Sequence, residues 1–392
     1  MFLLISLSTC LLIGLYIGWR VIMPSNLKMH HKIIAWGAIL MIILSSIIPM
    51  RIRNFDLSTE LQGIISQSIY ILLGFMSYLF LLLLAKDVIR VLMIAMEKAK
   101  GQTFVGLSSA NIGGIGIRKA VNSVLIIGAF GLTLYGYRQA VKVPPFKYID
   151  VKIDNLPIEL EGVTIAQLTD LHIAYPCQTD WLRDVVEKVN SANPDLVVIT
   201  GDVADQKASR IEKEIGSLAN IKAKYGKYFV TGNHEYYHDH EGWIQKMEEL
   251  DFTVLMNDYD IVEHKSKSII VAGVPDYEQS AKHDQYSDPE MAMEGAPSAD
   301  VKILLAHQPQ NIYEASMAGY DLQLSGHTHG GQFFPWNLII GMAQEFLHGL
   351  HTYQNTQLYV SRGTGYWGPP IRLSAPSEIT LIRLSKSNGI NG

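Results

Sequence analysis

The sequence predicts a chain in two parts: about four membrane-spanning helices over residues 1–141, then an α/β domain over residues 142–392. Three observations carry this reading. Charge is scarce, 18% of 392 residues against roughly 25% in an ordinary soluble domain, and the deficit sits in the first third. Four apolar runs in that third each end at a basic residue. Beyond Pro144 and Pro145, short β-type runs alternate with helical stretches, the order of an α/β domain.

The apolar runs lie near residues 1–19, 33–50, 64–85 and 120–137, closing at Arg20, Arg51, Lys86 and Arg138. Each is long enough to cross a hydrocarbon core of ~30 Å as a helix. Trp19, Trp36, Tyr135 and Tyr137 stand near their ends, where amphipathic rings favour the membrane interface. The stretch Asp87–Lys100 mixes apolar and basic residues; it either extends the third span or lies as an amphipathic helix on the surface. The glycine-rich run Gly101–Gly116 reads as a loop. Arg20, Lys28, Lys32, Lys86, Arg90, Lys98, Lys100, Arg118 and Lys119 flank one side; Arg51, Arg53, Arg138, Lys142, Lys147 and Lys152 flank the other. By the positive-inside rule the first set is cytoplasmic. An integral protein of a plasma or inner membrane follows, with its C-terminal domain on the extracytoplasmic side.

A net charge of −5 gives no basic field for nucleic acid. Cys10 lies in an apolar run, so a disulfide with Cys177 is not expected. Oligomeric state is not legible.

In the second part, β-type runs cover Val163–Leu168, Leu196–Thr200, Tyr228–Thr231, Ser268–Ala272, Ile303–Ala306, Leu322–Leu324, Leu358–Val360 and Ile379–Ile382, with a helical pattern at Asp180–Asn190. Polar groups follow five of these runs: Asp170 and His172, then Asp202 and Asp205, then Asn233, His234 and Glu235, then His307, then His327 and His329. The carboxyl edge of an open α/β sheet is where ligands bind. Carboxylate, imidazole and amide oxygen suit Mn²⁺, Fe²⁺ or Zn²⁺. Asp170, His172, Asp202, Asn233, His307, His327 and His329 exceed what one four-coordinate ion takes and suit two divalent ions sharing a bridge. Extended backbone through Asp-Leu-His and His-Thr-His would point each pair the same way. Two such ions can hold a bridging hydroxide and polarise a phosphoryl group for in-line attack, with a separate general acid for the leaving oxygen.

The motifs Asp-x-His, Gly-Asp-x-x-Asp, Gly-Asn-His-Glu, a lone His after a strand, and Gly-His-Thr-His stand here in the order of the calcineurin-like metallophosphoesterase superfamily, which residues 142–384 resemble. The tail from Tyr359 (Tyr-Val-Ser-Arg-Gly-Thr-Gly) and from Pro376 (Pro-Ser-Glu-Ile-Thr-Leu) is similar to its membrane-associated YkuE/YaeI-like branch. The resemblance implies a four-layer α/β/β/α sandwich. It assigns Asp170, His172 and His329 to one metal, Asn233, His307 and His327 to the other, and Asp202 as the bridge. It makes His234 the phosphate-contacting histidine and proton donor. Asp205 then either orients His234 or an inner ligand, or merely caps a turn, and Glu235 helps hold the turn. Arg362 is either a phosphate contact or an ordinary salt-bridge arginine, and Arg372 is read as the latter. Tyr236, Tyr237, His238 and His240 line the cleft or form an exposed loop. Phe333, Phe334, Pro335 and Trp336 wall the site or join the core.

The expected function is metal-dependent hydrolysis of a phosphodiester or phosphomonoester, with the membrane pointing to a lipid-linked substrate. Two alternatives stand beside it. One is a UDP-diacylglucosamine pyrophosphatase-like activity on the cytoplasmic face. The other is a transporter or sensor whose C-terminal domain is a metal-binding regulator, disfavoured because the spans carry no charge at mid-membrane.

Overall fold

A computed structural model of the chain describes residues 2–52, 55, 57–99 and 115–387. The loop expected at Gly101–Gly116 falls almost wholly outside the described residues. The chain divides into two compact units: Met1–Arg138 with Gly368–Ile371, and Gln139–Trp367 with Arg372–Gly392.

The first unit is helical, with α1 (Phe2–Ile17), α2 (Met29–Ser45), α3 (Ile48–Arg51), α4 (Thr59–Ala99) and α5 (Ile115–Val141). Among the described residues, two helices are long and apolar enough to cross a membrane, Thr59–Met96 and Lys119–Val141. The first two expected spans correspond to the shorter apolar helices Leu7–Ile22 and Met29–Ser45. The stretch from Asp87 does not form a separate helix. It continues α4, whose 41 residues extend about 60 Å at 1.5 Å per residue, roughly twice a hydrocarbon core. Polar side chains tie this unit together at one level: Arg20 pairs with Asp87 at 2.6 Å, and Lys86 donates to Asn122 at 3.3 Å. Large apolar side chains such as Ile34, Met41, Val124, Ile127 and Phe130 are exposed.

The second unit holds two six-stranded sheets. The first contains β1 (Phe146–Ile153), β2 (Thr164–Leu168), β3 (Leu196–Thr200), β4 (Gly226–Val230), β5 (Thr253–Val254) and β12 (Ile379–Lys386). The second contains β6 (Asp258–His264), β7 (Lys267–Gly273), β8 (Val301–Leu305), β9 (Leu322–Ser325), β10 (Gly349–Tyr353) and β11 (Thr356–Val360). Their orders are β1-β12-β2-β3-β4-β5 and β10-β11-β9-β8-β7-β6. In the first sheet β2, β3, β4 and β5 run parallel. In the second, β7, β8, β9 and β11 do. Parallel strands covered on both faces read as continuous apolar runs, as in Leu196–Thr200, where every residue is buried.

The sheets face each other through one core. Ile165, Val198, Tyr228 and Val230 of the first sheet pack with Ile269, Val271, Ile303, Leu305 and Leu324 of the second. Helices cover the outer faces. α6 (Thr179–Ser191), which matches the expected helix, lays Leu182, Val185, Val186 and Val189 on the first sheet, beside Trp243 and Met247 of α9 (His240–Glu249). Ala315 of α10 (Ile312–Met317) packs against the outer face of the second sheet with Tyr320 and Ala292. The short helices α7 (Glu212–Ile215) and α8 (Asn233–His238) and the apolar α11 (Trp336–Ala343) complete the unit. The result is an α/β/β/α arrangement. Turns at the carboxyl ends of β2, β3, β4, β8 and β9 come together at one edge.

Candidate metal centre

Strand register brings the turns together. Past β2 and β3 the backbone stays zipped: Asp170 N–H donates to Gly201 O, His172 N–H to Asp202 O and Ile173 N–H to Val203 O. The approach is so close that side chains are excluded at two glycines. A Cβ on Gly201 would stand 2.6 Å from both Gly232 N and His307 Nδ1, and one on Gly326 would overlap Thr169 Oγ1 and Asp170 Oδ2. Glu235 locks two turns at once. Its buried carboxylate accepts from Gly232 N at 2.7 Å, Asp202 N at 2.9 Å and Val203 N at 2.8 Å. The turn-holding role expected of Glu235 is thus a three-bond clamp.

One expectation needs correction. Extended backbone does not make the paired residues converge. Asp170, His172, Asp202, His327 and His329 all have φ between 48° and 71°, the left-handed region that non-glycine residues seldom adopt. The strands end at Leu168 and Ser325, and the reversal of φ turns each side chain back over the sheet edge. Such strain clusters at functional sites.

The side chains form two overlapping groups. His329 Nε2 stands 3.1 Å from His172 Nε2 and 3.3 Å from Asp170 Oδ1, and His172 Nε2 lies 3.7 Å from Asp202 Oδ2. In the second group, Asn233 Oδ1 is 3.1 Å from His307 Nε2 and 2.9 Å from His327 Nδ1, and His307 Nε2 lies 3.3 Å from the same Asp202 Oδ2. All seven sequence-predicted ligands are therefore brought together, with one oxygen of Asp202 common to both groups.

The donor chemistry fits two cations. His307 Nδ1 lies 2.8 Å from Thr200 O. A carbonyl only accepts, so Nδ1 carries the proton and a neutral ring directs its Nε2 lone pair at Asn233 and Asp202. His172 Nδ1 is held likewise by Asp205 Oδ1 at 2.9 Å, leaving Nε2 free to ligate. Lone pairs thus converge from several directions, an arrangement that only cations or extra protons can satisfy. His329 differs: its Nδ1 faces Arg372 Nη2 at 3.1 Å. A guanidinium only donates, so the metal-free ring keeps its proton on Nε2, and ligation through that atom must displace it.

Titration in the metal-free chain reflects the same crowding. Burial lowers His307, but Asp202, then Asp170 and Asp276, outweigh it and lift the imidazole to about 10. Burial and then His307 push His327 down to about 3. Burial raises Asp202, yet His307 and His234 overcome it and hold that carboxyl well below its usual range. Here a proton on His307 takes the place of a bound cation.

Around the ligands stand the other predicted residues. His234 is buried on α8, its backbone N–H donating to Asp202 Oδ1 at 2.8 Å. Its Nδ1 approaches Asp205 Oδ1 to 2.6 Å, a charge contact that falls short of an aligned hydrogen bond. Asp205 therefore touches both His172 and His234, combining the two orienting roles read for it. Arg362 packs beneath Gly330, donates its N–H to Glu378 and stands 3.4 Å from His348 Nδ1. Its guanidinium lies 3.8 Å from Glu378 Oε2. Tyr236 is buried. Tyr237 is exposed with its ring 5.2 Å from that of His234. Phe333 is buried and Phe334 exposed, so that run is divided between core and surface.

Two features escaped sequence reading. Arg372 is not a surface arginine. It is buried, with no carboxylate partner among the described residues, and donates to the carbonyls of His329, Arg362, Gly365 and Ala375. Burial lowers its pKa to about 10. Only its setting, Pro-Pro-Ile-Arg-Leu-Ser-Ala, hints at burial. Gln332 holds Trp367 by two bonds, Trp367 N–H to Oε1 and Nε2–H to Trp367 O, both 2.9 Å. The Trp367 ring then stands 5.7 Å from His234.

Comparison with known proteins agrees with this geometry. Residues 163–331 match the calcineurin-like phosphoesterase family. An uncharacterized metallophosphoesterase of Helicobacter pylori strain J99 is 39% identical over 278 residues, covering 69% of this chain and 73% of that protein. A transmembrane protein with metallophosphoesterase domain from Danio rerio is 36% identical over 274 residues, covering 67% and 62%. The uncharacterized metallophosphoesterase YkuE of Bacillus subtilis is 29% identical over 275 residues, covering 65% and 91%. On sequence, fold and ligand geometry together, the chain belongs to the calcineurin-like metallophosphoesterase family.

Proposed function

We propose that the chain is a membrane-anchored phosphoesterase that hydrolyses phosphodiester or phosphomonoester bonds at a centre of two divalent ions, Mn, Fe or Zn, with lipid-linked phosphoesters as the favoured substrate class. The observation that carries the reading is Asp202 Oδ2, within 3.3 Å of His307 Nε2 and 3.7 Å of His172 Nε2. That single oxygen can bridge two ions held by Asp170, His172 and His329 on one side and Asn233, His307 and His327 on the other. Such a pair, when bound, polarises a phosphoryl oxygen and activates water near neutral pH.

The chain's own groups do the rest. His234 stands at the rim of the ligand cluster, where its ring can protonate the leaving oxygen. Asp205 steadies that ring and fixes the tautomer of His172. Tyr237 and Trp367 flank His234 and offer apolar surface to a leaving group. Anchoring is supported by the two helices of sufficient length and by exposed Val124, Ile127 and Phe130 at helical spacing on α5, a surface that water disfavours.

The test is hydrolysis of a generic aryl phosphodiester by the full-length, metal-reconstituted protein beside Asp202→Ala and His234→Ala. Activity is expected in the wild type alone. Equal rates in all three would sink the enzymatic reading.

A further inference from the structure

The catalytic unit carries an apolar helix that its own fold leaves uncovered. Helix α11 reads Trp-Asn-Leu-Ile-Ile-Gly-Met-Ala, and none of its residues is buried. Leu338 is 57% exposed, Ile339 51% and Met342 90%, with Phe334 just before the helix at 43%. No charged residue occurs from Phe333 to Gln344. A surface helix ordinarily turns a polar face to water, and this one has none. Contiguous exposed apolar surface marks a binding face.

The helix is fixed to the metal centre. Asn337 N–H donates to Phe333 O at 3.2 Å. The backbone of Asn337 lies so close to Gly331 that a Cβ there would overlap it. Gly331 is two residues from His329. The uncovered helix is thus seated on the turn that supplies a ligand.

We infer that α11 and Phe334 form a membrane-seating element that inserts into the headgroup–acyl boundary and applies the metal-bearing edge to the bilayer. Chain connectivity favours lipid as the occupant. The candidate span α5 ends at Val141 and β1 begins at Phe146, so residues 142–145 hold the domain within roughly 15 Å of the end of that span. Phe146 pairs with Ile379, and Thr380 with Gln167 beside the end of β2, so the tether joins the domain at the same edge that carries the ligand turns and α11, and a bilayer holding α5 is the apolar phase within its reach. An uncharged helix with large apolar side chains gains by burying them at the interface. The consequence for substrate, phosphoesters borne on lipid rather than free in solution, rests on the proposed function. The seating rests only on the membrane anchoring and not on the phosphoesterase activity.

The experiment uses the full-length protein in phosphatidylcholine–phosphatidylglycerol vesicles, with Cys10→Ala and Cys177→Ser as background. A bimane label is placed at Leu338→Cys, Met342→Cys or Met317→Cys, and quenching by doxyl-labelled lipid is read. Met317 ends α10, which runs from the ligand edge back toward the start of β9; it is 76% exposed and serves as the control. Strong quenching at 338 and 342 with little at 317 is expected. Equal quenching at all three positions, or label–label coupling between copies without lipid quenching, overturns the seating. A second readout compares Met342→Asp with wild type on a vesicle-borne phospholipid and on a soluble aryl phosphodiester. Roughly tenfold loss on the lipid alone is expected; equal effects on both substrates overturn the lipid-substrate consequence. A wild type inactive on both would remove the phosphoesterase reading while the quenching still decides the seating.

Discussion

Glu235 offers the sharpest test of how the site is held. Its carboxylate accepts three backbone N–H groups from two turns, one carrying Asp202 and the other Asn233. Glu235→Gln preserves shape but supplies one accepting oxygen. If that oxygen takes the position serving Gly232 and Asp202, the amide NH₂ confronts the Val203 N–H. One charge-assisted bond is lost and a buried donor is left unpaired, a cost of about 2–3 kcal/mol. For a domain of this size that corresponds to a fall of roughly 5–10 °C in Tm. In the metal-free chain, burial and then the Asp202 charge raise Glu235 to about 7, so the comparison belongs near pH 8, where the carboxylate is ionised. The assay is chemical denaturation of metal-loaded protein, with metal content by elemental analysis. A change under about 0.5 kcal/mol with two ions retained would refute the clamp, since surface substitutions commonly stay within that range.

Four further outcomes are expected. Gly326→Ala drives a Cβ into Thr169 Oγ1 and Asp170 Oδ2, so it should abolish loading of the His172 cluster while far-ultraviolet circular dichroism stays native; normal loading would show that the turn can give way. Asp205→Asn removes the carboxylate against His172 Nδ1 and His234 Nδ1 and should weaken metal affinity about 10–100-fold in a chelator competition, an unchanged affinity counting against the role. His307 sits at about 10 in the folded metal-free chain against roughly 6.5 unfolded. Its stabilising contribution is therefore complete below about 6.5 and lost as pH rises through 10, so metal-free Tm should decline across that window and metal binding near pH 8 should release a proton, seen by calorimetry in buffers of different ionisation enthalpy. Arg372→Lys keeps a charge but cannot serve four carbonyls at once; a loss of about 2–3 kcal/mol in denaturation is expected, and wild-type stability would mean those carbonyls find other partners.

The strands visible in the sequence and those that were not differ in one physical respect. The eight runs recognised from composition became β2, β3, β4, β7, β8, β9, β11 and β12, all interior to their sheets. The four that were missed, β1, β5, β6 and β10, are the four edges. Interior strands are covered on both faces and must be apolar throughout. Edge strands such as Asp-Tyr-Asp-Ile-Val-Glu-His carry exposed polar residues and resemble loops. The residues of the candidate centre were legible because each follows an interior strand. Arg372 was not, because a guanidinium satisfied by carbonyls leaves no acidic partner to signal burial. Nor could composition reveal that Asp87 onward continues α4, because its charges suit an interfacial helix equally well.

That five of the seven proposed ligands sit on reversed backbone has a consequence for how the site would work. Five residues in the left-handed region cost on the order of 1 kcal/mol each, and converging lone pairs add repulsion when no cation is present. Metal binding could in principle supply the energy to hold this arrangement, as in small domains that are unfolded without their ion. The protein does not depend on that alone. Glu235 clamps the Asp202 and Asn233 turns. Asp170 accepts His327 N–H through both oxygens at 3.1 Å. The Thr364 and Gly365 N–H groups bind the carbonyls of Thr169 and Asp170. With the Asp170 N–H to Gly201 O bond, they join the turns after β2, β3, β4, β9 and β11 to one another, and none of them uses a ligating lone pair of the histidines. The network therefore carries the backbone strain, while bound cations would relieve the electrostatic part. A centre built this way should lose its metals without losing its fold and recover them without refolding. Its ligand geometry is preorganised by the clamps between turns, which is why a substitution at Glu235, a residue outside the proposed ligand set, is expected to weaken both metal sites.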